Sequence, residues 1–246
     1  MRILAFSDLD DLLFQTGRKC PAGAELSLAA RDADGNPHGW QTHPQRALMK
    51  LLSDALWIPV TGRNPAAFAR VTLPFTSWAV LDHGATLLEP GGAVNVEWQQ
   101  RVTALLRPQL EALEAALQIA DRLNQTLGSG CRIRLDLAHG QPLMIVVRHP
   151  QYDLAALDEF SKAWQLQAQS LGLRFFANGN NLSLIASGVD KAHAVGWLLE
   201  RLPCDLSFGL GDSLADAGFM NLCDFAVTPR GGQLIRAVLE GSHEQR

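Results

Sequence analysis

The sequence predicts an α/β protein, a doubly wound parallel sheet interrupted by an inserted α+β domain, and three observations support this. Short apolar runs alternate with helical patterning at both ends of the chain, as expected of a parallel sheet with crossover helices. From Glu89 to Ala186 the order changes to helix, hairpin, helix, hairpin, a self-contained α+β unit. Three of the apolar runs outside that unit end in polar, chemically able residues, at the strand ends where such a sheet binds its ligands. The expected division is 1–88 and 187–246 for the core and 89–186 for the insert.

The first element is the run Ile3 to Phe6, a buried strand leading into Asp8, Asp10 and Asp11. Residues 15–23 are polar, and an Asp-Gly turn between Leu26–Ala30 and Gly39–Thr42 predicts a short hairpin hanging over the first strand's tip. Asp32 and Asp34 lack the third ligand position and distal Glu of a calcium loop, so the turn is read as solvated. A helix starts at Thr42 or His43, with Pro44 in its first turn. Trp57–Val60 and Trp78–Leu81 are strands, the first closing on Thr61-Gly62-Arg63 before Asn64-Pro65 opens a helix.

Within the insert, residues 96–127 are helical, with Pro108 kinking one helix or starting a second. Arg132–Leu137 and Leu143–Val147 form a hairpin through His139-Gly140. A helix over 154–171 follows, then a second hairpin through Asn178-Gly179. After Asp190 the alternation resumes: a helix from Lys191, a strand Leu206–Leu210 ending at Gly211-Asp212-Ser213-Leu214-Ala215-Asp216, a helix through Phe219 and Met220, a strand Phe225–Val227 and a last helix from about Gln233.

Composition limits the partners. With 246 residues and 47% hydrophobic content the chain can bury a substantial core, and a net charge of −4 gives no basic footprint for nucleic acid. The apolar run before Asp8 is too short for a signal peptide, and no run reaches membrane-span length, so a cytoplasmic protein without a membrane partner is expected. Cys20, Cys131, Cys204 and Cys223 form no Cys-x-x-Cys pair, which argues against zinc knuckles and redox motifs.

The chemistry concentrates at strand ends. A regular strand aims residues i and i+2 the same way, so Asp8 and Asp10 would converge, and two carboxylates that close call for a cation or a shared proton. Thr61, Gly62 and Arg63 offer a hydroxyl, backbone N–H groups at a helix start and a guanidinium, which suit an anion. Asp212 and Asp216 add a second acidic pair, and Lys191 stands at a helix start.

Asp-x-Asp, Thr-Gly-Arg, a helix-start lysine and Gly-Asp-x-x-x-Asp, in this order over the whole chain, resemble the four motifs of the haloacid dehalogenase superfamily of phosphatases. The insert between the second and third motifs resembles the αββαββ cap of the branch that holds sucrose-phosphate, mannosyl-phosphoglycerate and trehalose-phosphate phosphatases and Cof-type hydrolases. Two departures stand out: many relatives have Gly-Thr or Asp-Thr where Asp11-Leu12 stands, and Asn-Asp where Ala215-Asp216 stands.

The resemblance implies a Rossmann-like core with a cap and a Mg²⁺-dependent phosphatase of a small phosphorylated metabolite, a sugar phosphate by its branch. It assigns Asp8 as nucleophile, Asp10 as general acid and base, and Thr61 and Lys191 as phosphoryl ligands beside Gly62 and Arg63. The metal would take Asp8, the Asp10 carbonyl and Asp212, with Asp216 in or near its outer shell. A phosphotransferase or phosphomutase using the same aspartyl-phosphate, or a non-catalytic stress-associated binding protein, are the alternatives. Arg132, Arg134, Arg148 and Arg174 on the insert's strands are candidates for a second anionic group, and His83 for a substrate contact.

Overall fold

A computed structural model describes residues 1–241. The first elements in the chain are β1 (Ile3–Ser7), β2 (Gln15–Thr16), β3 (Ser27–Arg31), β4 (Pro37–Gln41), α1 (His43–Leu51), β5 (Ala55–Pro59), α2 (Pro65–Phe68), β6 (Ala79–Leu81) and β7 (Thr86–Leu88). The insert contributes α3 (Val96–Leu106), α4 (Leu110–Leu127), β8 (Arg132–Ala138), β9 (Gln141–Arg148), α5 (Leu154–Ser170), β10 (Arg174–Asn178) and β11 (Asn181–Ile185). The chain then adds α6 (Lys191–Leu199), β12 (Leu206–Leu210), α7 (Ala217–Met220), β13 (Phe225–Val227) and α8 (Gln233–Gly241). Contacts divide it into two compact units, 1–95 with 190–246, and 96–189.

The first unit is built on a parallel sheet of order β13-β12-β1-β5, extended toward β6 by a parallel bridge between Val60 and Val80. From β1 the chain crosses to β5 on one side and returns as β12 on the other. The winding therefore reverses beside β1, and ligands bind at the carboxyl ends flanking such a point. β1 is central because it can be buried on both faces: Leu4, Ala5 and Phe6 are fully enclosed.

Local chemistry sets the helix starts. Thr42 and Gln45 form a capping box at α1, Gln45 Oε1 accepting from the Thr42 N–H at 2.8 Å. Asn64 Oδ1 accepts from the Ala67 N–H at 2.8 Å, so the N-cap expected of Asn64-Pro65 forms, though α2 is one turn long. The β3–β4 hairpin pairs with β2, and Gln41 Nε2 donates to Leu13 O at 3.1 Å, fastening it to the turn beyond β1. The Asp32 carboxylate accepts from the Asp34 and Asn36 N–H groups, the self-contained turn that the sequence suggests there.

One pairing was not legible in the sequence. β6 and β7 form an antiparallel hairpin whose turn holds Asp82, His83 and Gly84 at φ of 51°, 56° and 103°. Without an Asn-Gly or Asp-Gly signal, nothing in Asp-His-Gly announces such a turn. Residues 89–95 continue from this hairpin, the Asn95 N–H donating to Leu87 O, and belong to the first unit.

The second unit is an antiparallel sheet of order β10-β11-β9-β8 with α4 and α5 on one face. Pro108 falls in a single 3₁₀ turn, Arg107–Gln109, between α3 and α4, because its ring and missing N–H interrupt a continuous helix. α4 ends at Gly128, φ 58°, a left-handed cap. Trp164, fully buried, packs edge-on against Phe160 and Phe175. Among the described residues no helix is long and apolar enough to cross a membrane.

Candidate active site

β1 ends at Ser7, and the next residue, Asp8, is the first to leave the ladder: its N–H still donates to Leu210 O at 2.9 Å while its side chain stands at the carboxyl end of the sheet. β12, the neighbouring strand, carries Asp212 two residues beyond its end, and the 3₁₀ turn that follows presents Asp216. Asp216 is fixed by Ser213, whose N–H and hydroxyl donate to its Oδ2 at 3.0 and 2.7 Å. Gly211 permits this close return, since a β-carbon there would collide with the Asp216 side chain.

Lys191 is the first residue of α6, whose N-cap Asp190 accepts from the Ala192 N–H at 2.7 Å. Its buried Nζ donates to Asp8 Oδ1 at 2.8 Å and to Asp216 Oδ1 at 2.7 Å. Two carboxylates thus share one ammonium. Burial works to lower the Lys191 pKa, but the charges of Asp8 and Asp216 outweigh it and hold the pKa above the ordinary value.

The acids do not balance so simply. Burial pushes the Asp8 carboxyl up to about 8, against the pull of Lys191 and with help from repulsion by Asp216 and Asp10. Asp212 rises to about 6, through burial and then the charges of Asp216 and Asp11. Asp216 goes the other way: burial would raise it, but the charge and hydrogen bond of Lys191, with the two Ser213 hydrogen bonds, hold it below the usual carboxylate range.

Asp8, Asp212 and Asp216 each offer an oxygen, all within 4.8 Å of one another, and could hold a metal ion. The donors are hard and anionic, and one lysine leaves their mutual repulsion incompletely offset. Both properties suit a small divalent cation.

The second carboxylate of the Asp-x-Asp motif, Asp10, lies beyond β1, which stops at Ser7, and just before the turn at Asp11, φ 62°. Its charge acts on Asp8, helping burial to raise that pKa. Asp10 is half exposed, outside the three-acid cluster, and gripped by Arg63: Nε donates to Oδ2 and Nη2 to Oδ1, each at 2.7 Å. Burial alone would lower the Arg63 pKa, but Asp10 more than compensates. The guanidinium also lies over the Phe14 ring, 5.0 Å from its centre.

Thr61 is buried beyond β5, its hydroxyl accepting from the Arg63 N–H at 3.2 Å. A β-carbon at Gly62 would meet the tip of the His83 imidazole at Nε2, so the ring would have to turn aside. The left-handed turn closes this arrangement: the Asp82 N–H donates to Arg63 O, the His83 N–H to Thr61 O, and Gly84 lies so close to Asp190 O that a β-carbon would collide there too. Thr61, Gly62 and Arg63 are therefore braced by 82–84, which in turn abuts the residue before Lys191.

Two further features escaped the sequence reading. Asp11, in the left-handed region, bonds Lys19 Nζ at 2.5 Å. Only the Asp identity, tolerant of that region, hints at it. The Asp10–Arg63 fork joins residues 53 apart, and no local spacing reveals it.

No family model matches the chain, and no curated protein matches it. Solved structures do. The sucrose-phosphatase from Synechocystis, in complex with sucrose and phosphate, aligns with 98% of this chain and 98% of its own at 15% identity and a TM-score of 0.50. A Thermoplasma acidophilum protein aligns over 97% of this chain and 89% of its own at 18% identity, TM-score 0.52. The C-terminal domain of C. albicans trehalose-6-phosphate phosphatase covers 89% and is itself covered over 73%, at 15% identity and TM-score 0.53. The chain shares its fold with these proteins, a parallel-sheet α/β core carrying an inserted α+β unit.

Proposed function

We propose that the protein is a magnesium-dependent phosphatase of the haloacid dehalogenase type, acting on a small phosphorylated metabolite through an aspartyl-phosphate. The observation that carries this is Asp8: a carboxylate at the tip of the central strand, bonded to a buried lysine and grouped with two further acids. Such a group attacks phosphorus, forming the Asp8–phosphorus bond as the bond to the leaving oxygen breaks. Asp10 protonates that leaving oxygen, then takes a proton from the water that displaces phosphate and frees Asp8. Arg63 orients Asp10 for both transfers.

Thr61, the Gly62 N–H and Lys191 would hold the phosphoryl oxygens against the charge that builds during transfer, the Arg63 N–H being engaged by Thr61 Oγ1. Magnesium fits the Asp8, Asp212 and Asp216 oxygens and, when bound, would neutralise charge between carboxylates and phosphate. The shared fold with sucrose- and trehalose-6-phosphate phosphatases favours a sugar phosphate as substrate. In this reading the 96–189 unit is the cap that selects among substrates, and a net charge of −4 offers no basic footprint for nucleic acid.

The test is phosphate release from a panel of phosphorylated metabolites, with magnesium and with EDTA. Release of phosphate from at least one sugar phosphate, lost in chelator, supports the reading. No release from any of them, with magnesium present and the protein folded, overturns it.

A further inference from the structure

Strand register separates two unlike faces on the sheet of the second unit. Phe175, Leu184, Ile145 and Leu135 lie abreast across the four strands, as do Ala177, Leu182, Val147 and Ile133. This is the helix side, where Trp164 of α5 meets Phe175 with ring centres 6.2 Å apart and donates its indole N–H to Ala116 O of α4. The alternate positions face the other way. There Arg132 of β8 stands directly opposite Arg148 of β9, and Arg134 is the next residue on that face of β8.

Arg134 has a carboxylate of its own, its Nε donating to Asp136 Oδ1 at 2.5 Å and Nη2 to Oδ2 at 2.8 Å. The exposed side chains of Arg132 and Arg148 make no ion pair or hydrogen bond among the described residues. Like charges directly opposite one another destabilise a sheet. Charges on an edge strand are explained by the need to keep that edge from pairing with other chains, which accounts for Arg132 and Arg134 on β8. It does not account for Arg148, because β9 is an interior strand between β11 and β8. Burial of part of the side chain and the charge of Arg134 hold the Arg148 guanidinium below its ordinary pKa, and Asp136 and Tyr152 offset only part of this.

We propose that Arg132 and Arg148, with Arg134 beside them, form a binding site for a compact oxyanion, phosphate or carboxylate. Long side chains rooted at directly opposed strand positions can close their planar N–H donors on one such anion, which a guanidinium matches in geometry as well as charge. The anion is either a free ion or a second anionic group on the metabolite, and this second source rests on the phosphatase reading.

The test has two arms, both on the full chain. In the first, arginine side-chain Nε–H resonances are followed by NMR while sodium sulfate is added at constant ionic strength. Saturable shifts at Arg132 and Arg148, absent at the exposed Arg122 on α4, support the site, and flat or non-saturating responses overturn it. In the second, kcat/KM is compared for a sugar bisphosphate and the matching monophosphate in wild type and in the Arg132→Gln/Arg148→Gln variant. A fall of about tenfold in that ratio, the scale of one charged hydrogen bond, with monophosphate turnover unchanged, identifies the anion as part of the substrate. Saturable NMR shifts with an unchanged ratio identify a free anion instead. The NMR arm needs no turnover, so it still decides the site if no substrate is hydrolysed. Arg148→Gln alone should leave the unfolding midpoint unchanged or raised; a clear drop would make Arg148 a structural residue and overturn the proposal.

Discussion

Arg63 holds Asp10 by a two-pronged grip, both guanidinium–carboxylate distances being 2.7 Å, while the Phe14 ring supports the guanidinium from 5.0 Å. Asp10 is half exposed, so without that grip its carboxylate would sample many rotamers. Lysine keeps the charge but lacks the planar fork. Arg63→Lys should therefore lower kcat about ten- to hundredfold, the worth of one charged hydrogen bond, and leave divalent-cation affinity unchanged because Asp10 lies outside the three-acid cluster. Steady-state kinetics with a generic aryl phosphate, beside calorimetric magnesium binding, measure the two. Wild-type kcat in the lysine variant would show that Asp10 needs no positioning.

Asp8→Asn removes the nucleophile and keeps its shape. Turnover should fall by at least about 10³-fold, as for other nucleophile replacements. The fold should survive, because burial and the neighbouring acids already disfavour the charge that the substitution removes. Activity near wild type, with contaminating phosphatase excluded, would remove Asp8 from the nucleophile role.

Metal removal and pH act on the same cluster. The folded pKa values of Asp8 and Asp212, about 8 and about 6, lie above the ordinary 3.8. The native state therefore keeps protons that the unfolded chain has already released, and stability from these groups is lost as pH rises from about 4 through those values. In EDTA the unfolding midpoint should fall between pH 5 and pH 8, by at least about 2 °C, the shift that ~1 kcal/mol produces in a chain of this size. Magnesium should flatten that fall, because a bound cation stabilises the ionised carboxylates. A chelated protein whose midpoint rises across the window would contradict the assignment of raised carboxylates.

The strands, helices and inserted unit were readable because each rests on local patterning: apolar runs, Asn64-Pro65, the alternation of Arg132–Leu137. Asp8, Lys191, Asp212 and Asp216 meet because each stands just beyond a strand or at a helix start, places that local patterning marks. What escaped depends on backbone departure from regularity. Asp11 turns through the left-handed region, φ 62°, just after β1 stops at Ser7. The β6–β7 turn uses three successive left-handed residues, only one of them glycine. Sequence spacing carries no information about such departures or about a partner 53 residues away.

Asp11 tests one of those departures directly. A β-branched residue at φ 62° is strained by about 1–2 kcal/mol, so Asp11→Val should lower the unfolding midpoint by several degrees. Glycine adopts that backbone freely, and the lost Lys19 bridge, half exposed on the lysine side, contributes little. Asp11→Gly should then unfold within about 1 kcal/mol of wild type. Equal damage from both substitutions would place the importance in the carboxylate and not in the backbone.

Gly62 and His83 give the sharpest test of how the 82–84 turn braces the phosphate-site loop. The imidazole lies where a side chain on Gly62 would begin, so Gly62→Ala must displace either the ring or the loop. The loop is held by the Asp82 and His83 N–H groups on Arg63 O and Thr61 O, and the turn itself by a hydrogen bond from Thr86 Oγ1 to Asp82 Oδ2 at 2.7 Å. With both backbones anchored, the ring is what must turn aside, and the collision should cost about 1 kcal/mol, the low end of overpacking. Removing the ring should recover much of it: in the Gly62→Ala/His83→Ala double variant the unfolding midpoint should return toward that of His83→Ala alone. A double-mutant cycle on unfolding free energies reads the coupling, which contacting pairs show at about 0.5–3 kcal/mol. Simple additivity of the two losses would mean that the ring does not limit Gly62, and the bracing of Thr61-Gly62-Arg63 would have to be sought in the backbone hydrogen bonds alone.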